Sequence, residues 1–501
     1  MSGIATEAPD GRWEQSVART IACSRLAQFA CLLAFAVLIR CPAWGEWNFG
    51  IDDQFYALVG ERLLHGELLY VDIWDRKGPL LYLIFSGIAL ISPTMLAYQV
   101  GGTLSAALGA YGVNRIARHI TTPLAALAGG LVYLALLSRF QGENLQAGVF
   151  VNTAIIGAAC ALVSRLPLLR SGRIDALLCG GFLLAGMAIA TKQTAAVEGV
   201  VFGLAASLLL LRSGRPLLQT LWRIALLGAA GALPLLATGL FYQFHGHFPE
   251  LWSALVTSNV ARGYADPGIR LERVFVMAGM LGIPLFFAVL GFMSARARMS
   301  KRSPVLWLVA AWSLATLVLL FSFPNIYVHY GQPTLPPLAI LCAAALVRKP
   351  VWPALTVLIG LSLILSGTFH LHDRWRARAA EDALADYVDA ASPHKRIVVW
   401  GAASYLYSKV GAAPMSVLAF PPHFYEGREW TGIDEVAELR RVFAARPETV
   451  VEQNPLFTAP LNETTMKMMR AYTAHCGARR LFTIYDHNGE QTYTVFTRCG
   501  G

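Results

Sequence analysis

Apolar residues in this chain gather in long runs separated by polar connectors. The runs cover residues 21–39, 124–137, 145–163, 174–190, 195–211, 224–241, 274–292, 305–321, 335–347 and 351–365. Several approach the roughly 20 residues that cross a bilayer core. Inside lipid every backbone N–H and C=O needs an internal partner, so each run is predicted to be a helix. The ten-residue alternating segments of a membrane β-barrel are absent from the sequence. Segments 78–91 and 94–113 complicate the count. The first has about fourteen residues, short for a crossing, and counting both as spans would put Arg115 and Arg118 on the outer side. Either a re-entrant first segment or a miscounted neighbouring one would restore the parity. The expected fold is an all-α polytopic membrane domain with about 11–13 crossings.

Two polar stretches carry patterns of their own. Residues 42–78 form an acidic loop with Glu46, Asp52, Asp53, Glu61, Glu67, Asp72 and Asp75. Within it Phe55, Leu58, Val59, Arg62 and Leu63 recur at helical spacing, which predicts an amphipathic helix lying on the membrane surface and ended by Gly66. A second short element is expected between Tyr70 and Pro79. From about His372 short apolar runs predict strands at 396–400, 449–452, 481–485 and 492–497. Helices are expected from Ala402 and over 464–474, and Asn488-Gly489 is a hairpin-turn signal. The chain is therefore expected to divide into a transmembrane domain, 1–371, and a small α/β domain, 372–501, large enough to fold alone.

Composition and charge fix sidedness. The 501 residues are 55% hydrophobic and 14% charged, where a soluble protein carries nearer a quarter charged residues. Mean hydropathy is +0.50. A net charge of +10 raises the thought of nucleic acid. The basic residues argue against it, because they sit in short connectors: Arg12/Arg19/Arg25, Arg115/Arg118, Arg165/Arg170/Arg173, Arg212/Arg215/Arg223, Arg296/Arg298/Lys301/Arg302 and Arg348/Lys349. That is the positive-inside distribution. It assigns those connectors to the cytoplasm and places loop 42–78, the long loop 242–270 and the C-terminal domain on the periplasmic side of a bacterial inner membrane. Residues 21–39 are too long for a signal-peptide core and lack a small-residue cleavage site, so they read as a retained first span. Cys23, Cys31, Cys160, Cys179 and Cys342 lie in or beside apolar runs and pack as small hydrophobes. Cys41 ends the first span. Cys476 and Cys499 could pair as a disulfide if the C-terminal domain is outside.

The candidate chemistry is concentrated in the first loop. Asp52 and Asp53 open its helix at the height of the lipid headgroups. A carboxylate there can take the proton of an attacking hydroxyl, although Asp is also a common helix N-cap. Arg76 and Lys77 stand where the chain re-enters the membrane, on the side where the charge rule predicts few cations. Two cations there suit a lipid-borne phosphate, a leaving group that needs positive charge rather than a proton; the bland alternative is snorkelling. Lys192 sits at an outer helix end, Arg262 in the long outer loop, Glu143 before the run at 145, and His329 beside a late helix. Each has a structural reading as a cap, a solvated charge or a packed histidine. His245 and His247 form a His-x-His that leaves a divalent metal open; no cofactor motif emerges. Trp44, Trp47 and Trp252 suit the interfacial aromatic belt.

Ile51-Asp52-Asp53-Gln54-Phe55-Tyr56-Ala57, then Leu63-Leu64-His65-Gly66, Tyr70 and Asp75-Arg76-Lys77-Gly78-Pro79-Leu80-Leu81-Tyr82 together resemble the first periplasmic loop of the GT-C glycosyltransferases. The nearest branch holds protein O-mannosyltransferases and lipid A aminoarabinose transferases, families 39 and 83. Its pattern is an acidic pair followed by a tyrosine, then Lys-Pro-Pro; this chain departs from it with Gly78 at the middle position. The resemblance implies that Asp52, with Asp53 beside it, is the catalytic carboxylate and that Lys77 faces the lipid phosphate. Arg76, Tyr56 and Tyr82 belong to the same motif. Weaker likenesses are Thr191-Lys192 at a helix end, Arg262 in Asn259-Val260-Ala261-Arg262-Gly263-Tyr264, Glu143 in the second outer loop, and His329-Tyr330 ahead of Pro333 and Pro336-Pro337. The likeness covers most of residues 20–371 and leaves the C-terminal domain unmatched.

The implied protein is a GT-C-like transmembrane domain followed by an α/β domain. Its implied reaction is transfer of one sugar, with inversion, from a polyprenyl-phosphate donor to a glycan, lipid or protein acceptor. The implied partners are that donor, membrane lipids and the acceptor. A transporter or lipid-linked-sugar flippase is the alternative. Such proteins place ionisable residues near the bilayer midplane and often show paired halves, whereas here the acids crowd an outer loop. A non-catalytic membrane scaffold that binds a partner through the C-terminal domain is a further alternative.

Overall fold

A computed structural model describes residues 24–47, 50–143, 145–299, 303–347, 351–367, 369–401, 403–420, 422–426, 430–454, 456, 461–486 and 489–499. Arg12, Arg19, Cys23, Lys301, Arg302, Arg348, Lys349, Ala402 and Asn488 of the sequence reading lie outside these residues. The apolar runs are helices: α1 Arg25–Arg40, then after the first loop's helix α2 Ile51–Leu64, α3 Pro79–Ala89, α4 Met95–Ala117, α5 Pro123–Arg139, α6 Ala147–Ser164, α7 Ala176–Thr191, α8 Ala196–Leu211, α9 Leu217–Phe244, α10 Pro267–Arg298, α11 Pro304–Ser322, α12 Leu335–Ala345 and α13 Val351–Leu365. Their starts follow local chemistry. Thr122 caps α5 by accepting from the Ala125 N–H at 3.4 Å, with Pro123 as first helical residue. Asp175 caps α7 through the Leu178 N–H at 3.0 Å.

Six helical segments among the described residues are long and apolar enough to cross a membrane: Arg25–Ala43, Ala147–Ser164, Gln193–Leu211, Leu217–Phe244, Pro267–Arg298 and Pro304–Ser322. Shorter apolar helices, Pro79–Ala89, Pro123–Arg139, Ala176–Thr191 and Trp352–Leu365, accompany them. The bundle has an inside and an outside. Every residue of α12 is buried, whereas α9 exposes a succession of leucines and buries only Thr220, Leu227 and Tyr242. Apolar exposure on that scale suits lipid, which is as apolar as leucine itself.

The first loop differs from the expectation. Helix α2 does form, and it ends at Leu64, with Gly66 in the left-handed region at φ 92°. It does not lie open on a surface, because Phe55, Tyr56, Ala57, Leu58, Val59 and Gly60 are all buried. One side packs on α3, where Ser86 Oγ donates to the Gly60 carbonyl at 2.8 Å. The other side is covered by the C-terminal domain: Gln54 Oε1 accepts from the Tyr405 N–H at 2.9 Å. The stretch between Tyr70 and Pro79 is irregular, with one bridge between Leu69 and Ile73.

Beyond α13 the chain forms α14 Leu371–Ala391, β1 Ile397–Trp400, α15 Tyr405–Val410, α16 Glu435–Ala444, β2 Thr449–Asn454, α17 Glu463–Thr473, β3 Ala478–Asp486 and β4 Gly489–Thr497. The sheet order is β1-β2-β4-β3. Strand β1 runs parallel to β2, with Ile397 opposite Thr449, and β4 is antiparallel to both β2 and β3. Asp486 pairs with Gly489, the register of a tight hairpin. Helices α14 and α16 extend the sequence reading, which named neither. Cys476 and Cys499 form a disulfide closing a separation of 23 residues. Opening a loop of that length costs about 3 kcal/mol. Cys476→Ser with Cys499→Ser is therefore expected to lower the thermal midpoint of the purified protein, and reductant to do the same to the wild type.

Candidate active site

Helix α2 and the irregular chain after Tyr70 bring the first-loop charges together. Lys77 Nζ lies 3.3 Å from Asp52 Oδ1 and 3.3 Å from Asp75 Oδ2. The Tyr56 ring centroid is 4.9 Å from the ammonium and the Phe420 centroid 5.7 Å. Gln146, at the start of α6, donates to Asp52 Oδ2 at 2.8 Å. Tyr82 donates to Asp75 Oδ2. Tyr70, held at φ 71°, donates its hydroxyl to the Lys77 carbonyl at 2.7 Å. A non-glycine residue in that region is strained and persists only where its surroundings fix it. Burial works against ionisation of Asp52, but Lys77 and the Gln146 hydrogen bond outweigh it and hold the carboxyl well below the usual carboxylate range. The same carboxylates keep Lys77 protonated against its burial. Burial, and then the neighbouring Asp52 and Asp75, push the Tyr56 hydroxyl upward.

A main-chain seam joins Lys77 to a second cation. The Gly78 N–H donates to the Thr191 carbonyl at 3.2 Å, and Gln193 Nε2 donates to the Arg76 carbonyl at 3.0 Å. A Cβ at position 78 would stand 2.0 Å from the Ala190 carbonyl oxygen and 2.6 Å from its carbon. Both are backbone atoms of a packed helix, so only glycine fits. A proline would in addition remove the donor to Thr191. This accounts for the departure from Lys-Pro-Pro. Gly78→Ala is expected to cost about 1–3 kcal/mol through overpacking, seen as a lower thermal midpoint.

Lys192 Nζ sits 5.1 Å from the Tyr330 ring centroid, and Arg262 Nη1 donates to the Tyr330 hydroxyl at 3.0 Å. His329 contacts Gln141 Oε1 at 3.4 Å. Burial, with the cations Lys77 and Arg262 adding to it, pushes Lys192 down to about 8. Burial and then Lys192 push His329 down to about 3, so its ring is neutral. His329 feels Lys192, Asp52, Lys77 and Arg262 together, which places all five groups in one neighbourhood.

Other candidates go elsewhere. Asp53 turns away from Lys77 and accepts from the Leu145 N–H at 3.4 Å. Burial, and then Asp52 and Glu46, push it up to about 8. Glu143 belongs to a separate buried charge network. Its carbonyl accepts from Arg40 at 3.2 Å, and burial pushes its carboxyl up to about 7 against the pull of Arg374 and Arg40. In the same region Arg374 pairs with Glu46 at 3.3 Å. The Arg76 guanidinium lies 5.6 Å from the Trp74 ring, and the Arg76 N–H donates to Asp75 Oδ1 at 2.7 Å. Trp47 N donates to Glu381 Oε2 at 3.0 Å in the C-terminal domain. His245 bonds the Phe241 carbonyl and His247 lies 3.6 Å from Glu250. Among the described residues no group of three or more His, Cys, Asp or Glu is set to hold a metal.

Solved structures share this architecture. ArnT from Cupriavidus metallidurans bound to undecaprenyl phosphate matches with a TM-score of 0.62 at 14% identity, over 93% of this chain and 97% of that one. Its apo state gives the same values. The apo Archaeoglobus fulgidus oligosaccharyltransferase gives 0.50 at 12% identity, over 86% and 69%. No family model matches the chain, and no curated protein does. The chain has the GT-C fold. Within that GT-C fold, sequence reasoning passed over Gln146, Asp75, Glu198 and Phe420 as site residues. Asp75 lay in the quoted motif but carried no assigned role. Gln146 and Phe420 gave no signal, because only folding brings α6 and the C-terminal domain to Lys77. Glu198, buried in the first turn of α8 and acting electrostatically on Lys192, was hidden in an apolar run.

Proposed function

We propose that this protein is a membrane glycosyltransferase that moves one sugar from a polyprenyl phosphate, undecaprenyl or decaprenyl, to an acceptor hydroxyl outside the cytoplasmic membrane. The observation that carries the reading is the 3.3 Å pairing of Asp52 with Lys77, with Lys192 and Arg262 converging on Tyr330 in the same neighbourhood. An acid and several cations there match a hydroxyl that loses a proton and a phosphate that leaves. Supporting it, the GT-C fold is shared with ArnT, whose structure holds undecaprenyl phosphate.

The proposed step is a single displacement. The acceptor oxygen bonds to the anomeric carbon as the bond from that carbon to the phosphate oxygen breaks. The acceptor proton goes to Asp52, and the lipid phosphate keeps the electron pair, stabilised by Lys77, Lys192 and Arg262. Lys77 keeps Asp52 ionised but also weakens it as a base. A phosphate that draws Lys77 toward itself restores that basicity, which couples donor binding to activation of the acceptor. One base and one displacement imply inversion. The disulfide favours an oxidising compartment for the C-terminal domain, and the positive-inside distribution supports a periplasmic position for it.

The test compares membranes with and without the protein. A polyprenyl-linked sugar should accumulate and one glycoconjugate disappear when the protein is absent. Purified protein should bind undecaprenyl phosphate. If no lipid-linked sugar changes and undecaprenyl phosphate does not bind, the reading is wrong.

A further inference from the structure

The C-terminal domain reaches the Lys77 site directly. Its segment from Met415 to Phe420 is held on both sides. From its own domain, Glu438 accepts from Ser416 Oγ at 2.6 Å and from the Val417 N–H at 3.2 Å, and Arg441 donates to the Met415 carbonyl at 2.8 Å. From the first loop, the Trp74 N–H donates to the Val417 carbonyl at 2.9 Å. Leu418 and Ala419 are buried. The Phe420 ring therefore has a fixed place. It packs on Phe55 at 5.0 Å and on His423 at 5.0 Å, and it stands 5.7 Å from Lys77 Nζ. His423 in turn meets the Trp74 ring at 4.7 Å. Phe420 itself is only half-buried.

The substrates approach from different sides. A polyprenyl donor keeps its tail in the bilayer, so its phosphate comes from the helical bundle, where Lys192 and Arg262 stand on elements that join the spans. What meets Lys77 and Asp52 from the C-terminal domain is then the other substrate. An aromatic ring placed there packs against the C–H face of a sugar ring and keeps water from the base.

We propose that Phe420 is a specificity-determining residue that forms the acceptor-side wall of the site, packing against the apolar face of a sugar ring of a glycan or glycolipid acceptor and excluding water from Asp52. This rests on the transferase reading. When the wall is missing, water replaces the acceptor hydroxyl. Its oxygen bonds to the anomeric carbon, the bond to the lipid phosphate breaks, and its proton goes to Asp52, releasing free sugar.

The experiment has two readouts on the full-length protein with Phe420→Ala and Phe420→Tyr. One is binding of undecaprenyl phosphate to purified protein. The other is the fate, in membranes, of the lipid-linked sugar that accumulates without the protein. Phe420→Ala is expected to keep undecaprenyl-phosphate affinity within about twofold, to lower transfer at least about tenfold, and to raise the released share of sugar; Phe420→Tyr is expected to behave as wild type. Parallel loss of binding and transfer in a folded Phe420→Ala protein overturns the inference, since the ring would then only support Lys77. Unchanged transfer overturns it too. Should Phe420→Ala not fold, Phe420→Leu, which keeps most of the volume without the ring, is judged by the same pattern. A wild type that neither binds undecaprenyl phosphate nor consumes a lipid-linked sugar brings down the transferase reading and this inference together.

Discussion

Asp52→Asn is expected to abolish most transfer, by about 10²–10⁴-fold, while Asp53→Asn next to it leaves the rate within a few-fold of wild type. The two side chains are neighbours in sequence with opposite environments. Lys77 and Gln146 hold Asp52 as an anion. Asp53, 1% exposed and pushed up to about 8, is protonated at neutral pH, and asparagine closely matches a protonated acid in shape. Environments that drive two carboxyls apart separate their roles. The stability effects should separate as well. A carboxyl whose folded value is raised above its unfolded value of roughly 4 favours the folded state at low pH. That contribution is lost progressively as pH rises through about 8. Asp53→Asn escapes the loss, so its thermal midpoint should gain on wild type between about pH 5 and pH 8. The measurements are transfer rates at matched protein amounts and melting curves against pH. Equal loss of transfer in both variants would show that the pair acts as one unit and would remove Asp52 from its separate role.

Lys77→Ala should lower transfer by about 10²–10³-fold, the cost of removing a group aimed at developing charge, and should weaken undecaprenyl phosphate binding. It also leaves Asp52 and Asp75 without the cation between them, so a lower thermal midpoint should accompany the loss. Phosphate binding by the remaining cations carries a pH signature. Burial and the cations Lys77 and Arg262 lower Lys192 to about 8, so it is protonated at neutral pH and loses its charge as pH rises through that value. Affinity for undecaprenyl phosphate should therefore fall between about pH 7 and about pH 9, where the phosphate itself is already fully ionised. In Lys192→Arg, where the charge persists, the fall should flatten. A binding curve that is flat between about pH 7 and about pH 9 in wild type, or one that falls equally there in Lys192→Arg, would take Lys192 out of the phosphate site.

The sequence was sufficient to read the apolar runs as helices, because lipid imposes a rule that can be read locally: the backbone of an apolar run must be satisfied within the run itself. Runs read at 195–211, 305–321 and 351–365 became Ala196–Leu211, Pro304–Ser322 and Val351–Leu365. The four strands of the C-terminal domain were legible as short apolar runs, and Cys476 and Cys499 by their place in a soluble tail. Asp52 and Lys77 stood out as candidates in the sequence, since acids and cations gathered in one loop need a reason, and the fold pairs them at 3.3 Å. The burial of α2 was not legible. Its helical spacing matched a surface helix, and only the C-terminal domain, more than 300 residues away in sequence, covers its other side.

Tertiary structure alone decided which charges face one another. Successive residues on a helix point about 100° apart, so Asp52 turned to Lys77 while Asp53 turned to the Leu145 N–H. Glu143 stood among the sequence candidates for the substrate site, and the fold sets it beside Arg40 and Arg374. Gly78 was visible as a departure from a pattern, but its cause is a contact with the Ala190 carbonyl on another helix. Local sequence fixes which groups a segment carries and whether it crosses the membrane. Which partner each group meets depends on packing between segments far apart in the chain, and that is where Gln146 and Phe420 reached Lys77.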